Sequence, residues 1–310
     1  MIVTFTANPS VDRTAEVAEL RRGDVLRARS VRVDGGGKGV NVTRALSANG
    51  HAAAAVLPAG GAEGAQLLAL LADERLAVRA VPVAGAIRAN VTIVEPDGTT
   101  TKINEPGPRL ADGEIAALTD TLLDAAAGAE WAVLSGSLPP GAPNDLYASL
   151  TRALHAQGVR VAVDTEGDLV RRTLAAAPDL IKPNRSELGE AAGGAAVRTL
   201  SEALAAIAQL RRAGARSVLA SLGGDGAVLV DSSGVHHAHA EVVARSTVGA
   251  GDAMLAGFLA AGGAGPDALA EAVAWGAAAV TLPGSRMPTP TDIDRSAVMT
   301  QSLNPLEVTA

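Results

Sequence analysis

Apolar positions recur along this chain in two alternating modes. Continuous short runs at 2–7, 53–57, 132–135, 159–164, 179–182 and 217–221 predict strands covered on both faces. Between them lie Ala- and Leu-rich stretches with helical spacing, at 38–49, 62–73, 112–127, 144–157, 200–212, 252–261 and 267–281. Gly50, Gly158 and Gly214 follow three of these helices, where a left-handed residue ends a helix at least cost. Strand and helix in regular alternation predict an α/β, Rossmann-like domain spanning 1–310, with a mostly parallel sheet between helical layers.

Two segments break this rhythm. Residues 14–33 and 86–105 alternate Val, Thr and Arg at period two, and the second contains the turn Pro96-Asp97-Gly98. They predict a small β lid standing off the main sheet. The turns Gly223–Gly226 and Asp231–Gly234 predict further short strands within 227–243.

Composition narrows the functional classes. Hydrophobic residues make up 48% of the 310 positions and aromatics only 2%, so the core is built from Ala, Val and Leu. No apolar run approaches the ~18 residues of a membrane span, and the first residues carry no basic region of the signal-peptide kind. Cysteine is absent, which excludes disulfides and thiolate metal sites and fits a cytoplasmic setting. A net charge of −7 argues against a nucleic-acid surface. There are 23 arginines but only three lysines, Lys38, Lys102 and Lys182. Their survival suggests positions that need a compact ammonium rather than a planar guanidinium.

Several stretches carry candidate chemistry. Ser246–Asp252 runs small residues into a helix start, where free backbone amides and the macrodipole favour an anion. Gly249, Ala250 and Gly251 let the backbone approach a phosphate, and Asp252 supplies a base beside it. The plainer alternative is a glycine turn with Asp252 as a helix cap. Gly35-Gly36-Gly37-Lys38-Gly39-Val40-Asn41 is neither a P-loop nor a dinucleotide fingerprint. Lys38 and Asn41, three apart on one helical face, suit a sugar or its phosphate, and Asp12 and Asp34 suit its hydroxyls. Asn184 and Glu187, also three apart, suit a hydrated Mg2+; equally they form a capping box. Ser135–Gly141, with Ser137, and Ser221–Gly226, with Gly223 and Gly226, follow strand ends where open α/β sheets bind ligands. Of His236, His237 and His239, only the last two share a strand face, and no carboxylate stands at ligand spacing.

Together these stretches resemble the PfkB (ribokinase-like) carbohydrate kinases. The resemblance rests on Thr6–Asp12, Gly35–Asn41, Gly136–Pro139, Lys182–Leu188 and Thr247–Asp252, in that order along nearly the whole chain. Asn8-Pro9, Lys38 and Asn104-Glu105-Pro106-Gly107 point to the 1-phosphofructokinase and tagatose-6-phosphate kinase branch. The resemblance implies a ribokinase-like fold and transfer of phosphate from ATP, with Mg2+, to a ketose phosphate. Fructose 1-phosphate heads the acceptors, with tagatose 6-phosphate and fructose 6-phosphate as alternatives. It further implies Asp252 as base and Gly249, Ala250 and Gly251 as anion hole. Asn184 and Glu187 would position the metal, and Lys182, Asn184, Ser221, Gly223 and Gly226 would border ATP. Asp12, Gly36, Gly37, Asn41 and Ser137 would hold the sugar, and Lys38, Arg88 and Lys102 its phosphate. A homodimer through the lid strands is expected. A non-catalytic sugar-phosphate-binding protein on the same fold is the alternative of a different class.

Overall fold

The computed structural model describes residues 1–194 and 196–303. The first strand, β1 (Ile2–Thr6), is buried along its whole length, as its continuous apolar run requires. There follow β2 (Ser10–Glu16), β3 (Ser30–Gly36), α1 (Lys38–Ala48), β4 (Ala53–Ala59), α2 (Gly61–Asp73), β5 (Val78–Pro82), β6 (Arg88–Val94) and β7 (Thr100–Ile103). Next come α3 (Asp112–Ala126), β8 (Trp131–Ser135), α4 (Leu146–Ala156), β9 (Arg160–Asp164), α5 (Gly167–Leu174), β10 (Leu180–Ile181), α6 (Arg185–Ala191) and α7 (Leu200–Arg212). The chain continues through β11 (Val218–Ser221), β12 (Ala227–Asp231), β13 (Gly234–Ala240), α8 (Ala250–Ala260), α9 (Gly265–Thr281) and β14 (Val298–Ser302).

Ten of these strands form one sheet in the order β14-β13-β12-β11-β10-β9-β8-β1-β4-β5. Pairing is parallel from β5 to β11 and antiparallel from β11 to β14. One apolar layer, including Phe5, Leu134, Leu150 and Ile207, covers one face; another, including Leu46, Leu255, Phe258 and Trp275, covers the other. The helix-covered parallel sheet of the sequence reading is therefore present.

The lid is a separate sheet in the order β3-β2-β6-β7. Its strands are shifted from the expected 14–33. β2 starts at Ser10 and β3 runs to Gly36, while the Arg-rich stretch between them forms the connection. The roots of these strands lose the period-two signal because Ser10, Val11, Gly35 and Gly36 are not polar on one face and apolar on the other: Val11 is buried with Val40, Leu67 and Leu71. As a result Asp12 and Gly36 belong to the lid itself.

Three elements gave no clear signal. β5 and β14 are edge strands, so exposure replaces the apolar run. α5 spans only eight residues, too short for a convincing helical period. β10 is cut to two residues because Pro183 has no N–H to continue the ladder. The ends of β8, β9, β10 and β11 lie side by side, with Ser135 opposite Asp164 and Ile181 opposite Val163. That edge is where an open parallel sheet presents its ligand site.

Candidate active site

The helix α8 starts two residues earlier than its apolar pattern suggests, with Gly249 at the N-cap. Gly249 has φ +78°, and a Cβ there would also meet Met287 Cε at 2.5 Å. No side chain caps this helix; the Ala250 amide makes a long bond to Thr247 O at 3.4 Å, and the positive end of the dipole is left for a ligand. Asp252 lies in the first turn and is 8% exposed. Its Oδ2 accepts a hydrogen bond from Asn41 Nδ2 at 2.8 Å, so the carboxylate faces across to α1 instead of folding back onto its own helix. The capping alternative for Asp252 is thereby removed. Burial, and then the neighbouring Asp164 carboxylate, push the Asp252 carboxyl up to about 7, against the pull of Asn41, Lys182 and Lys38. A carboxyl held there is matched to accepting a proton near neutrality.

Beneath it sits a cluster of four charges. Asp164, the last residue of β9, is fully buried. Lys38 Nζ donates to Asp164 Oδ1 at 2.9 Å and to Glu187 Oε1 at 3.2 Å. Lys182, just beyond β10, places Nζ 3.1 Å from Asp164 Oδ2, an ion pair out of line for a hydrogen bond. Burial raises the Asp164 carboxyl, but the two ammonium groups outweigh it and hold it below the ordinary range. Burial likewise opposes the charge on Lys38, and Asp164 and Glu187 overcome that too and hold the ammonium well above its usual value. Lys182 Nζ also lies 3.2 Å from where a Cβ on Gly251 would stand, so the ammonium reaches the start of α8. Asp164 was not singled out from sequence. Its only signal was a carboxylate closing a buried strand at the ligand edge of the sheet.

On the next strand end the capping box is fully made. Asn184 Oδ1 accepts from the Ser186 and Glu187 amides at 2.9 and 3.0 Å, and Glu187 Oε2 accepts from the Asn184 amide at 2.8 Å. Among the described residues no three His, Cys, Asp or Glu side chains group as a metal site. Among the described residues Glu187 Oε1 keeps only Lys38 as a partner. Such a donor set fits a cation that brings most of its own ligands and does not fit a closed protein cage.

Asn184 forms a parallel bridge with Ser221, which joins two of the expected nucleotide neighbours. Gly223 opens the 3-10 turn after β11, with open space around its Cα. Gly226 plays a different part from the expected one. Its amide closes the turn onto Gly223 O, and a Cβ there would lie 2.1 Å from Ala238 O, so it shapes the β11–β12 loop against β13.

Asp12, Asn90 and Lys102 line a cleft of about 680 Å³ between the lid and the loops at 244–248 and 283–285. Asp12 Oδ1 accepts from Ser10 Oγ at 2.7 Å and from Asn90 Nδ2 at 2.9 Å. A Cβ on Gly36 would fall 2.2 Å from Asp12 Oδ2, so only glycine leaves room for that carboxylate. Asn90 was missed because its relation to Asp12 is a pairing of β2 with β6, far apart in sequence. Arg88, at the start of β6, has Asp12 and Glu166 as charged neighbours, and burial lowers its pKa. Ser137 Oγ accepts from Asn8 Nδ2 at 3.3 Å, and the same amide donates to Pro106 O. Gly37 is the N-cap of α1. Asn41 is committed to Asp252 on one side and to Arg44 on the other. Of the three cations expected at one phosphate, Lys38 is engaged by Asp164 and Glu187, and Arg88 and Lys102 stand on the lid strands β6 and β7.

Residues 6–292 match the pfkB family carbohydrate kinase pattern, which takes in the lid sheet, the main sheet from β4 to β13 and every site residue above. Over 300 residues, covering 93% of each chain, the sequence is 38% identical to the 1-phosphofructokinase of Rhodobacter capsulatus. It is 34% identical over 292 residues to the ATP-dependent 6-phosphofructokinase isozyme 2 of Escherichia coli, with 92% of this chain and 94% of that one covered. The crystal structure of phosphofructokinase-2 from Escherichia coli with substrates and products superposes at TM-score 0.87 and 33% identity, over 94% of this chain and 96% of that one. The chain belongs to the pfkB family of carbohydrate kinases. It is an enzyme that transfers a phosphoryl group to a sugar hydroxyl, with ATP the donor that membership in this kinase family implies. Its fold is that of the ribokinase-like kinases, a mostly parallel sheet between helices with a four-stranded lid. Among the described residues no helix is long and apolar enough to cross a membrane.

Proposed function

We propose that this kinase phosphorylates a ketose phosphate, with fructose 1-phosphate converted to fructose 1,6-bisphosphate as its main reaction. The observation that carries the reading is the uncapped start of α8 with Asp252 in its first turn, its carboxyl raised to about 7. Asp252 takes the proton of the acceptor hydroxyl as that oxygen attacks the γ-phosphorus of ATP. A bond forms from the acceptor oxygen to phosphorus, the bond from phosphorus to the β–γ bridging oxygen breaks, and ADP leaves. The amides at Gly249, Ala250 and Gly251 and the Lys182 ammonium stabilise the charge spread over the transferring group. When bound, Mg2+ would neutralise charge on the ATP phosphates, and Glu187 and Asn184 are the residues to hold it, mostly through water. Ser221 and Gly223 border the nucleotide.

Asp12, Asn90, Gly36 and Ser137 receive the sugar on the lid side. Arg88 and Lys102 provide the cations for its phosphate. The likeness to the Rhodobacter capsulatus 1-phosphofructokinase favours the 1-phosphate. The likeness to the Escherichia coli 6-phosphofructokinase favours a second reading, fructose 6-phosphate, on the same residues. A pure sugar-phosphate-binding protein would have no use for a buried, raised carboxyl at an uncapped helix start.

Steady-state rates with ATP and each of fructose 1-phosphate, fructose 6-phosphate and tagatose 6-phosphate test the choice. We expect kcat/KM for fructose 1-phosphate to lead by about tenfold or more. A lead for fructose 6-phosphate selects the second reading, and binding without transfer to any of the three overturns the catalytic one. We also infer a cytoplasmic homodimer joined through the lid, where Val31 on β3 and Ile103 on β7 stand 63% and 59% exposed. Val31→Asp with Ile103→Asp should yield monomers in analytical ultracentrifugation; unchanged dimers would move the interface elsewhere.

A further inference from the structure

Arg44 is the most heavily engaged cation near the base, and nothing in the reaction described so far uses it. Its Nη1 donates to Asn41 Oδ1 at 2.6 Å. Its Nη2 donates to the main-chain carbonyl of Gly35 in lid strand β3 at 2.8 Å and to Glu74 Oε1 at 3.0 Å, and its Nε donates to Glu74 Oε2. A guanidinium has five N–H donors and no acceptor. Four contacts in this fork leave it little freedom, and its side chain is only 14% exposed.

The consequence lies in the amide of Asn41. An Asn side chain has one accepting and one donating end, of almost the same shape. A group that can only donate must meet the oxygen. With Oδ1 turned to Arg44, Nδ2 is turned to Asp252, and the 2.8 Å bond to the base follows. Were the amide reversed, Oδ1 would face the carboxylate and repel it. Lys38 and Lys182 also attract Asp252, but neither donates a hydrogen bond to it among the described contacts. The amide of Asn41 is thus the contact that aims this carboxylate.

We propose that Arg44 is a positioning residue: braced by Glu74 and by the lid carbonyl of Gly35, it fixes which end of the Asn41 amide meets Asp252. The base and the lid strand are then registered through one guanidinium. The inference rests on Asp252 being the base.

A double-mutant cycle on Arg44 and Asn41 tests it, with kcat measured at saturating sugar phosphate and ATP. Arg44→Met should lower kcat about tenfold with less than about threefold change in either KM, since it touches no substrate. In an Asn41→Ala background the same change should lower kcat less than about twofold further, because Arg44 then has no amide to aim. Losses that multiply across the cycle overturn the proposal. Should Arg44→Met fail to fold, Glu74→Ala removes the brace and keeps the guanidinium; the same cycle with Asn41→Ala should show a loss of about threefold that vanishes without Asn41, and independent losses again overturn it. Asp252→Asn separates the two readings. If that variant turns over normally, the base assignment falls. If it is inactive and the Arg44 loss persists without Asn41, only the positioning role falls.

Discussion

Two polar clusters flank Asp252, and they are built on opposite principles. On the sheet side, Lys38 and Lys182 face Asp164 and Glu187, two charges of each sign, and all but the partly exposed Lys38 are buried. On the lid side, Asp12, Ser10 and Asn90 are linked by hydrogen bonds and Arg88 Nη1 donates to Glu105 O, while among the described residues Asn90 Oδ1 and Arg88 Nε are buried without a partner. A buried charge without a counter-charge costs several kcal/mol, so the sheet-side cluster has to be complete before any nucleotide arrives. A neutral acceptor left open costs far less, roughly 1–3 kcal/mol, and can wait for a hydroxyl. The sheet side is therefore paired in itself, and the lid side leaves bonds to be made, which on the proposed function are bonds to the sugar. Preorganised charge beside developing charge is also what stabilises a phosphoryl-transfer transition state.

The largest break in this picture comes from the residue between the clusters. Asp252→Asn keeps the shape and the Asn41 contact but cannot take a proton, and should lower kcat about a thousandfold with the sugar KM within about threefold. A rate within tenfold of the parent would remove Asp252 as base. Because the carboxyl is raised to about 7, log kcat/KM should fall on the acid side of that value. The same shift acts on stability. A carboxyl raised in the folded state binds its proton more tightly there than in the unfolded chain, so its contribution is present at acid pH and is lost as pH rises through about 7. Asp252→Asn should therefore melt higher than the parent at pH 8 by a margin that shrinks towards pH 4. An equal margin at both values would contradict the raised carboxyl.

Asp164 should behave in the opposite sense, which sharpens the contrast within the sheet side itself. Its carboxyl is held low, so its stabilisation is present above the ordinary carboxylate range and is lost on acidification through its folded value. Asp164→Asn leaves Lys182 buried without its counter-charge and Lys38 with Glu187 alone, and should cost about 3 kcal/mol in urea unfolding at pH 7. Adding Lys182→Met should return part of that loss. A cost under about 1 kcal/mol would mean that the cluster is not held together by charge.

How much of this was legible in the sequence follows the same divide. The strands and helices of the main sheet announce themselves because burial on both faces writes continuous apolar runs, and the glycine-led start of α8 with Asp252 in its first turn was readable from its small residues. The scarcity of lysine pointed at Lys38 and Lys182, which do meet, at Asp164. Asp164 itself stayed silent, since a carboxylate at a strand end gains its meaning only from neighbours that the parallel pairing supplies. Lys38 was grouped with Arg88 and Lys102 as phosphate partners on the strength of the family resemblance. Only the fold shows that α1 turns Lys38 towards Asp164 at the end of β9, while Arg88 and Lys102 are set on the lid strands β6 and β7. The lid-side partners Asp12 and Asn90 depend on a register between strands more than seventy positions apart, which no local pattern records.

The smallest expected effects lie on the lid side, and they show whether its open bonds are for substrate. Asn90→Ala removes a buried acceptor that no group among the described residues satisfies, together with the amide's bond to Asp12. If the acceptor waits for a sugar hydroxyl, the loss appears in binding: the sugar-phosphate KM should rise about tenfold while kcat and the ATP KM stay within about twofold. If the acceptor is merely a packing defect, the variant should be as active as the parent and slightly more stable, because an unsatisfied buried polar atom has been deleted. Lys102→Met at the cleft rim should act in the same direction but more weakly, about threefold on the sugar KM, since its exposed ammonium is screened by water and salt. Raising the ionic strength should shrink the Lys102 effect and leave the Asn90 effect unchanged, because a rim charge is screened and a buried hydrogen bond is not.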